Sequence, residues 1–489
     1  MRLARSQGGN PFLDHRFDSE CLSLHNAQAA MSQRIGIWGL GESGVGAALL
    51  AQRWGYETLL VADKPPSSLH AQRLQEAGLT WHIAEDPTPL LKEADLVVRS
   101  PGIRPDTPAL HQLIASGVPV VSDLEWGWRH FPKSSQLWLV TGSAGKTTTT
   151  TLLAHLIRTA GRRAIACGNI GYSFCLALCE DKPYAYYVVE ASSFQLWDTY
   201  SLIPNLFVIT SLVRNHIDWH GSLEAYAHAK LHILGRLPSE THLIYAADSE
   251  LLVEKLRLYP THAQSWRFAV APSEGIHAWI EGNKLICDMK VGDDADRWEV
   301  SYEATPLQEL PKRKNALAAA IAGRLAGLRR ADLRRSFETM EKMPHRLEQV
   351  ALIDGVLYVN DSKATTTDAV WYALQSFERP IIWIAGGVDK GNDWGEILDI
   401  VRARVRALVL IGTNPEPIYR AFCDTVPVIE RAGSMREAVE KAHKLARPDE
   451  VVLLSPGCAS FDWFSSYEER GNAFREAVSQ LKSEKAQSV

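Results

Sequence analysis

A surplus of one charge is missing from this 489-residue chain: 52 Lys and Arg stand against 57 Asp and Glu, for a net charge of −5. So mild and mixed a balance argues against a nucleic-acid-binding surface. Long apolar runs are missing as well. Stretches such as Pro380-Ile-Ile-Trp-Ile-Ala385 and Val451-Val-Leu-Leu454 fall far short of the ~18 residues that a membrane span needs. Cysteine is scarce. The seven cysteines, at 21, 167, 175, 179, 287, 423 and 458, are scattered and odd in number. That pattern excludes a disulfide framework and points to a reducing compartment, with a cytoplasmic location as the expectation. Internal repeats and low-complexity segments are also lacking. What is present is an ordinary globular composition, 46% hydrophobic and 22% charged, in a chain long enough for about three domains.

Residues 1–33 carry charges without a sustained period and have no apolar centre, so they do not read as a secretory signal. They are expected to form a disordered N-terminal extension. In one reading Met31 is the natural start; in the other the segment is a short regulatory or docking arm. From residue 34 short apolar strands alternate with amphipathic helices, the pattern of parallel sheets covered by helices. Strands are expected at 35–38, 58–62, 95–99 and 119–121, then 137–141, and later near 357–360, 381–385, 407–411 and 451–454. The fold expected is α/β in three domains: a Rossmann-like domain over 34–134, a central P-loop ATPase-like parallel-sheet domain over 135–343, and a second Rossmann-like domain over 344–489. Phe131-Pro-Lys-Ser-Ser-Gln136 reads as a linker.

Two glycine loops carry the chemistry. Gly39-Leu-Gly41-Glu-Ser43-Gly44 follows a strand and opens a helix, with Asp63 about 20 residues on. Such a loop seats a pyrophosphate at a helix N-terminus, and a nicotinamide dinucleotide or a UDP-sugar would serve equally. The second loop, Thr141-Gly142-Ser143-Ala144-Gly145-Lys146-Thr147-Thr148, also joins a strand to a helix. Its N–H groups would cradle phosphates, its lysine would pair the β/γ oxygens, and the following hydroxyl would hold Mg²⁺. Two nucleotide-type domains in one chain argue against a dehydrogenase.

The second loop is followed by Gly168-Asn169-Ile-Gly171, Glu190-Ala-Ser192-Ser-Phe-Gln-Leu196 and His216-Ile-Asp218. In the third block stand Pro344-His345-Arg346, Asn360-Asp361-Ser-Lys363-Ala-Thr365, Gly386-Gly-Val-Asp-Lys390 and Leu454-Ser-Pro-Gly-Cys-Ala-Ser460, with Tyr467 beyond. This order resembles the Mur ligases of cell-wall synthesis and their folylpolyglutamate synthase relatives, and the likeness runs from residue 34 onward. The third block is most similar to the branch that adds D-glutamate to UDP-N-acetylmuramoyl-L-alanine. The resemblance implies an ATP- and Mg²⁺-dependent amide ligase of peptidoglycan precursor synthesis, working as a monomer.

What the resemblance implies residue by residue follows the needs of the reaction. A carboxylate resists attack by an amine, so ATP first converts it to an acyl phosphate, and the protein aligns groups and stabilises charge. Lys146 would steady the transferring phosphoryl group. Thr147 and Glu190 would hold one Mg²⁺, with Thr148 nearby, and His216 a second. Lys230, in Ala225-Tyr-Ala-His-Ala-Lys230, matches the lysine that the family carbamylates with CO₂, and the carbamate would help to bind that second Mg²⁺. ATP would also meet Gly142, Ser143, Ala144, Gly145, Asn315, His345, Arg346 and Asp361. The UDP-substrate would meet Gly41, Ser43, Gly44, Asp63 and Ser100, with Asn169 and Ser192 on its muramoyl-alanyl part. Lys363, Thr365, Lys390, Ser460 and Tyr467 would surround the incoming amino acid, Lys363 also taking part in catalysis.

The chain departs from the family pattern at three places. Ala144 stands where asparagine is common, Asn215 replaces an aspartate before His216, and Pro311 and Lys312 stand where a His-Asn pair precedes Asn315. Two rivals remain: a ligase of the same fold that takes L-glutamate or another amino acid, and a catalytically silent nucleotide-binding relative.

Overall fold

A computed structural model describes residues 33–487 except 293–295, 304, 308–309, 341–343, 390–391 and 393. The extension at 1–32 and Lys390 therefore lie outside the described residues. Three sheets succeed one another along the chain, as the alternation of strands and helices requires.

The first sheet contains β1 (Arg34–Trp38), β2 (Glu57–Ala62), β3 (Trp81–Ile83), β4 (Leu96–Arg99) and β5 (Val120–Ser122). All are parallel, in the order β3-β2-β1-β4-β5. Ile35, Ile37, Val97 and Val98 are buried on both faces of the sheet, hence the unbroken apolar runs. The second sheet contains β6 (Gln136–Thr141), β7 (Ala164–Gly168), β8 (Tyr186–Glu190), β9 (Leu206–Ile209), β10 (His242–Ala246), β11 (Gln264–Phe268), β12 (Ala278–Glu281), β13 (Lys284–Cys287) and β14 (Trp298–Ser301). Its order is β14-β13-β12-β11-β10-β9-β6-β8-β7, and only the β12–β14 edge is antiparallel. The helices Lys146–Thr159 and Leu310–Leu325 pack on one face. The run Ala316–Ala322 is fully buried there, and its small side chains let the two helices approach closely. The third sheet contains β15 (Glu348–Ile353), β16 (Val356–Asn360), β17 (Ile381–Gly386), β18 (Val405–Ile411), β19 (Val428–Arg431) and β20 (Val451–Leu454). Its order is β15-β16-β20-β17-β18-β19, with β15 alone antiparallel.

The strands expected from the sequence lie within two residues of the observed ones. No strand was named in advance for β3, β15 or β19, nor for β7–β14 of the second sheet; β3 and β19 are only three and four residues long, whereas β8 and β9 are buried apolar runs that went unnamed. Cys175 is buried in the short helix Phe174–Leu178, and Cys179 stands half-buried at its C-terminal end. No described helix is long and apolar enough to cross a membrane.

Candidate functional site

In parallel sheets ligands gather at the carboxyl ends of the strands. In the second sheet the register aligns Val140 with Glu190 and Glu190 with Gly168, so the phosphate loop, the carboxylate and the Gly168-Asn169 turn lie side by side. Gly142 (φ 145°) and Gly145 (φ 80°) take backbone conformations that favour glycine. A Cβ on Gly142 would sit 2.0 Å from Thr210 Oγ1, and one on Gly145 would sit 2.5 Å from Asn315 Oδ1. Asn315, buried at 7% exposure, thus braces the loop from the helix Leu310–Leu325. The Ala144 backbone is held from beneath: its N–H donates to Ser211 Oγ at 3.0 Å and its carbonyl accepts from Thr210 Oγ1. Ser143 shares a hydrogen bond with the Tyr226 hydroxyl at 2.8 Å. Lys146 Nζ donates to the Gly142 and Ser143 carbonyls at 2.8 and 2.9 Å. Thr147 is half-buried and Thr148 buried in the turn that follows.

Glu190 Oε1 accepts from Asn169 Nδ2 at 3.1 Å, while its Oε2 is buried with no hydrogen-bond partner. A buried, unpartnered carboxylate oxygen beside a phosphate loop fits a hard cation that keeps most of its waters. Among the described residues no cluster of three or more His, Cys, Asp or Glu side chains forms a metal cage, which accords with sparse ligation. Lys230 is 1% exposed; Nζ donates to the Gly142 carbonyl at 2.9 Å and lies 4.9 Å from the Tyr226 ring centre. Burial and the adjacent Lys146 charge hold its amine well below an ordinary lysine, while Glu190 pulls the other way. His216 has a left-handed backbone (φ 54°) at the start of the turn Ile217–His220, and its ring lies 4.8 Å from Phe194 and 6.2 Å from Tyr226. His220, one turn on, bonds Ser193 Oγ through Nε2 at 2.9 Å. Burial, then His216 and Lys230, push it down to about 3, so it is neutral.

The third sheet brings its own loops together. Asn360 aligns with Leu454, and Ile384 with Leu454, so the Asp361–Thr365 and Ser455–Ser460 loops adjoin. Lys363 Nζ lies 5.5 Å from the ring centre of Tyr467; Ser460 is buried and Thr365 half-buried. Burial, then Arg346, lower the Lys363 amine, while Glu190 and Glu468 raise it. The central carboxylate thus acts electrostatically on a lysine of the third sheet. Asp361 is buried, accepts from Leu347 N at 3.1 Å and Ser455 Oγ at 2.9 Å, and is pushed up to about 7 by burial against the pull of Arg346. Lys312, at one of the departures from the family pattern, also acts on it. His345 (φ 61°) is buried inside the third domain, where its Nδ1 meets Asn360 Nδ2 at 3.0 Å.

At the first sheet, Gly39 adopts φ 94° and its carbonyl accepts from Ser100 Oγ at 3.1 Å. Gly44 approaches so closely that a Cβ would sit 1.8 Å from the Gly39 oxygen. Gly41 caps the helix Glu42–Arg53, and Asp63 is exposed just past β2. Ser43 reaches Asp123, a buried carboxyl that burial raises and to which Gln195 Nε2 donates at 3.0 Å. Ser192 is used as a helix cap, its Oγ accepting from Gln195 N at 3.2 Å. The sequence reading did not anticipate Arg99, which joins the first domain to the second through Asp198, because a single charged residue at a strand end carries no motif.

Comparison with known proteins adds three family models in the same order: a Mur ligase MurD-like N-terminal domain at residues 33–122, a Mur ligase middle domain at 140–303, and a Mur ligase glutamate ligase domain at 345–458. The chain is 36% identical over 451 residues to a UDP-N-acetylmuramoylalanine–D-glutamate ligase of Bacteroides fragilis, covering 92% of this chain and all of the relative. It is 37% identical over 454 residues to the enzyme of the same name from Salinibacter ruber, covering 92% and 98%. Among solved structures it resembles the UDP-N-acetylmuramate–alanine ligase MurC of Thermotoga maritima, with a TM-score of 0.55, 16% identity and coverage of 92% and 100%. It also resembles the MurF ligase of the same organism in complex with ADP, with a TM-score of 0.54, 15% identity and coverage of 93% and 97%. These two likenesses bear on the fold.

Proposed function

The chain belongs to the Mur ligase family, and on that basis we propose that it joins D-glutamate to the L-alanyl carboxylate of UDP-N-acetylmuramoyl-L-alanine, with ATP cleaved to ADP and phosphate, as a step in peptidoglycan precursor synthesis. The observation that carries this reading is the setting of Glu190. Its free oxygen is buried beside the phosphate loop, and its charge acts on both Lys230 and Lys363, from the second and third domains.

The first glycine loop, with Ser43, Ser100 and Asp63, receives the UDP group, and Asn169 with Ser192 faces the muramoyl-alanyl part. The second loop seats the triphosphate, with Ser211 holding its Ser143 and Ala144 N–H groups from beneath and Asn315 packed against the left-handed Gly145. Lys146 gives up the loop carbonyls to follow the γ-phosphoryl group as it passes to the substrate carboxylate. Thr147 and Glu190 would hold one Mg²⁺ and His216 a second, which together neutralise charge building on the phosphate oxygens. Lys230 is suited to carbamylation, because its amine is buried and held well below an ordinary lysine: in its neutral form it can attack CO₂, lose a proton and become an anionic oxygen ligand. Lys363, Thr365, Lys390, Ser460 and Tyr467 collect the amino acid, whose two carboxylates need cations and hydroxyl donors in place of water. Its amine then attacks the acyl phosphate and phosphate leaves. Asp361 and Arg346 steady the nucleotide from the third domain. All these loops come from one chain, so a monomer suffices, and its nucleotide substrates place the reaction in the cytoplasm.

Phosphate release tested across nucleotide-sugars and amino acids decides the matter. The expected outcome is release only with UDP-N-acetylmuramoyl-L-alanine and D-glutamate together. Equal release with L-glutamate would reassign the amino acid, and no release with any pair would remove the enzyme reading.

A further inference from the structure

Arg99 ends β4, is 1% exposed at its side chain, and lies in none of the loops discussed so far. Its Nε and Nη2 both donate to Asp198 Oδ2, at 2.7 and 2.5 Å, and its Nη1 donates to the Ile103 carbonyl. Its guanidinium carbon stands 5.8 Å from the Trp219 ring centre. Each partner belongs to a different working segment. Ile103 closes the turn Ser100–Ile103, where Ile103 N donates to the Ser100 carbonyl and Ser100 Oγ rests on the first glycine loop. Asp198 caps the helix Ser193–Trp197, which begins three residues after Glu190. Trp219 lies in the turn that His216 opens, and its N–H donates to the His216 carbonyl at 3.1 Å.

These contacts form a continuous packed path. The Trp219 ring meets Phe194 at 4.7 Å and His220 at 4.5 Å, and Phe194 meets His216 at 4.8 Å. Trp219 Nε1 and His220 Nδ1 are buried without hydrogen-bond partners. The Trp219 ring is therefore held by packing and by Arg99 rather than by a hydrogen bond of its own. A planar guanidinium with donors on three edges can fasten three segments at once, which a lysine ammonium cannot do with the same geometry.

We propose that Arg99 is a positioning residue that transmits occupancy of the nucleotide-sugar loop to His216, so that nucleotide-sugar and magnesium nucleotide strengthen each other's binding. Ligand at the Ser100–Ile103 turn fixes the Ile103 carbonyl and with it the guanidinium. The guanidinium then fixes Trp219 and Asp198, and so the segments that follow His216 and Glu190. The proposal rests on the functional reading given above.

Calorimetry tests it without turnover. The affinity of UDP-N-acetylmuramoyl-L-alanine is measured with and without Mg²⁺ and AMP-PNP, in the unaltered protein, in Arg99→Lys and in Arg99→Met. The unaltered protein should bind the nucleotide-sugar at least about fivefold more tightly when the magnesium nucleotide is present. Both variants should bring that ratio to within about twofold, while each ligand alone keeps its affinity to within about threefold. A part that is merely structural would lower the melting temperature and leave the ratio intact. Arg99→Lys decides alone if Arg99→Met does not fold. A ratio near one in the unaltered protein, or an unchanged ratio in the variants, overturns the proposal. Failure of the unaltered protein to bind the nucleotide-sugar at all would instead overturn the functional reading.

Discussion

Lys146 and Lys230 donate to the same atom, the carbonyl oxygen of Gly142, at 2.8 and 2.9 Å. Two ammonium groups on one oxygen repel, so Lys146 adds to the burial that already holds the Lys230 amine well below an ordinary lysine. The carbonyl of one glycine thus links the phosphate-binding lysine to the lysine that would become a metal ligand.

Lys230→Ala should therefore be nearly inactive, and short carboxylic acids should restore part of the turnover by placing oxygens in the vacated space. ¹³C NMR of protein equilibrated with labelled CO₂ should show a carbamate signal that Lys230→Ala lacks. An active alanine variant, or no such signal in magnesium-bound protein near neutral pH, would count against the assignment.

Lys146→Ala should lower turnover by a factor on the order of 10²–10³, the size found when one donor to a developing charge is removed. UDP-N-acetylmuramoyl-L-alanine should still bind the first domain with nearly unchanged affinity, because the two glycine loops belong to different sheets. Loss of both properties together would place Lys146 in the general fold rather than at the phosphate.

Gly145→Ala should cost about 1–3 kcal/mol of stability, from the left-handed backbone together with the 2.5 Å approach to Asn315. Gly145→Ala combined with Asn315→Ala should recover the part due to the contact and leave the backbone part. Chemical denaturation of the three variants separates the two contributions.

Asp361 sets a pH dependence. Its carboxyl is raised from 3.8 to about 7 in the folded chain, by burial. The folded state therefore holds a proton that the unfolded state has already released. This contribution to stability is complete below about pH 4 and is lost as pH rises through about 7. In Asp361→Asn the stability measured by denaturation should lack this decline, a difference of up to about 1.4 kcal/mol per pH unit within the window. A decline of equal slope in the variant would mean that another group causes it.

How far the sequence could be read depended on whether a feature was local. The phosphate loop is one continuous segment whose glycine spacing states its backbone needs, so Gly142 and Gly145 could be named in advance with their purpose. Central parallel strands such as β6 and β17 are buried on both faces and show as apolar runs, whereas β3 and β19 have only three or four residues at sheet edges. Arg99 and Asp198 escaped notice for a different reason: they lie 99 residues apart in the chain, and a single charge carries no spacing. Ser192 shows the reverse case. The resemblance implies a substrate contact for it, and its hydroxyl also serves the helix cap with Gln195, a local bond that the pattern Ser-x-x-Gln encodes.

The placement of β20 has a consequence for synthesis. This strand, Val451–Leu454, lies between β16 and β17, which leave the ribosome some 90 and 65 residues earlier. Until it emerges, two buried and largely apolar strands have open edges toward one another, the kind of surface that pairs with other chains. The Asp361–Thr365 loop has no Ser455 to hold it and no Leu454 carbonyl to accept from Asp361 N, a bond of 2.7 Å in the finished fold. The third domain thus gains its amino-acid loops in its last step of assembly. A nascent chain stopped before residue 451 should be protease-sensitive from residue 345 onward, while its first two sheets already resist cleavage.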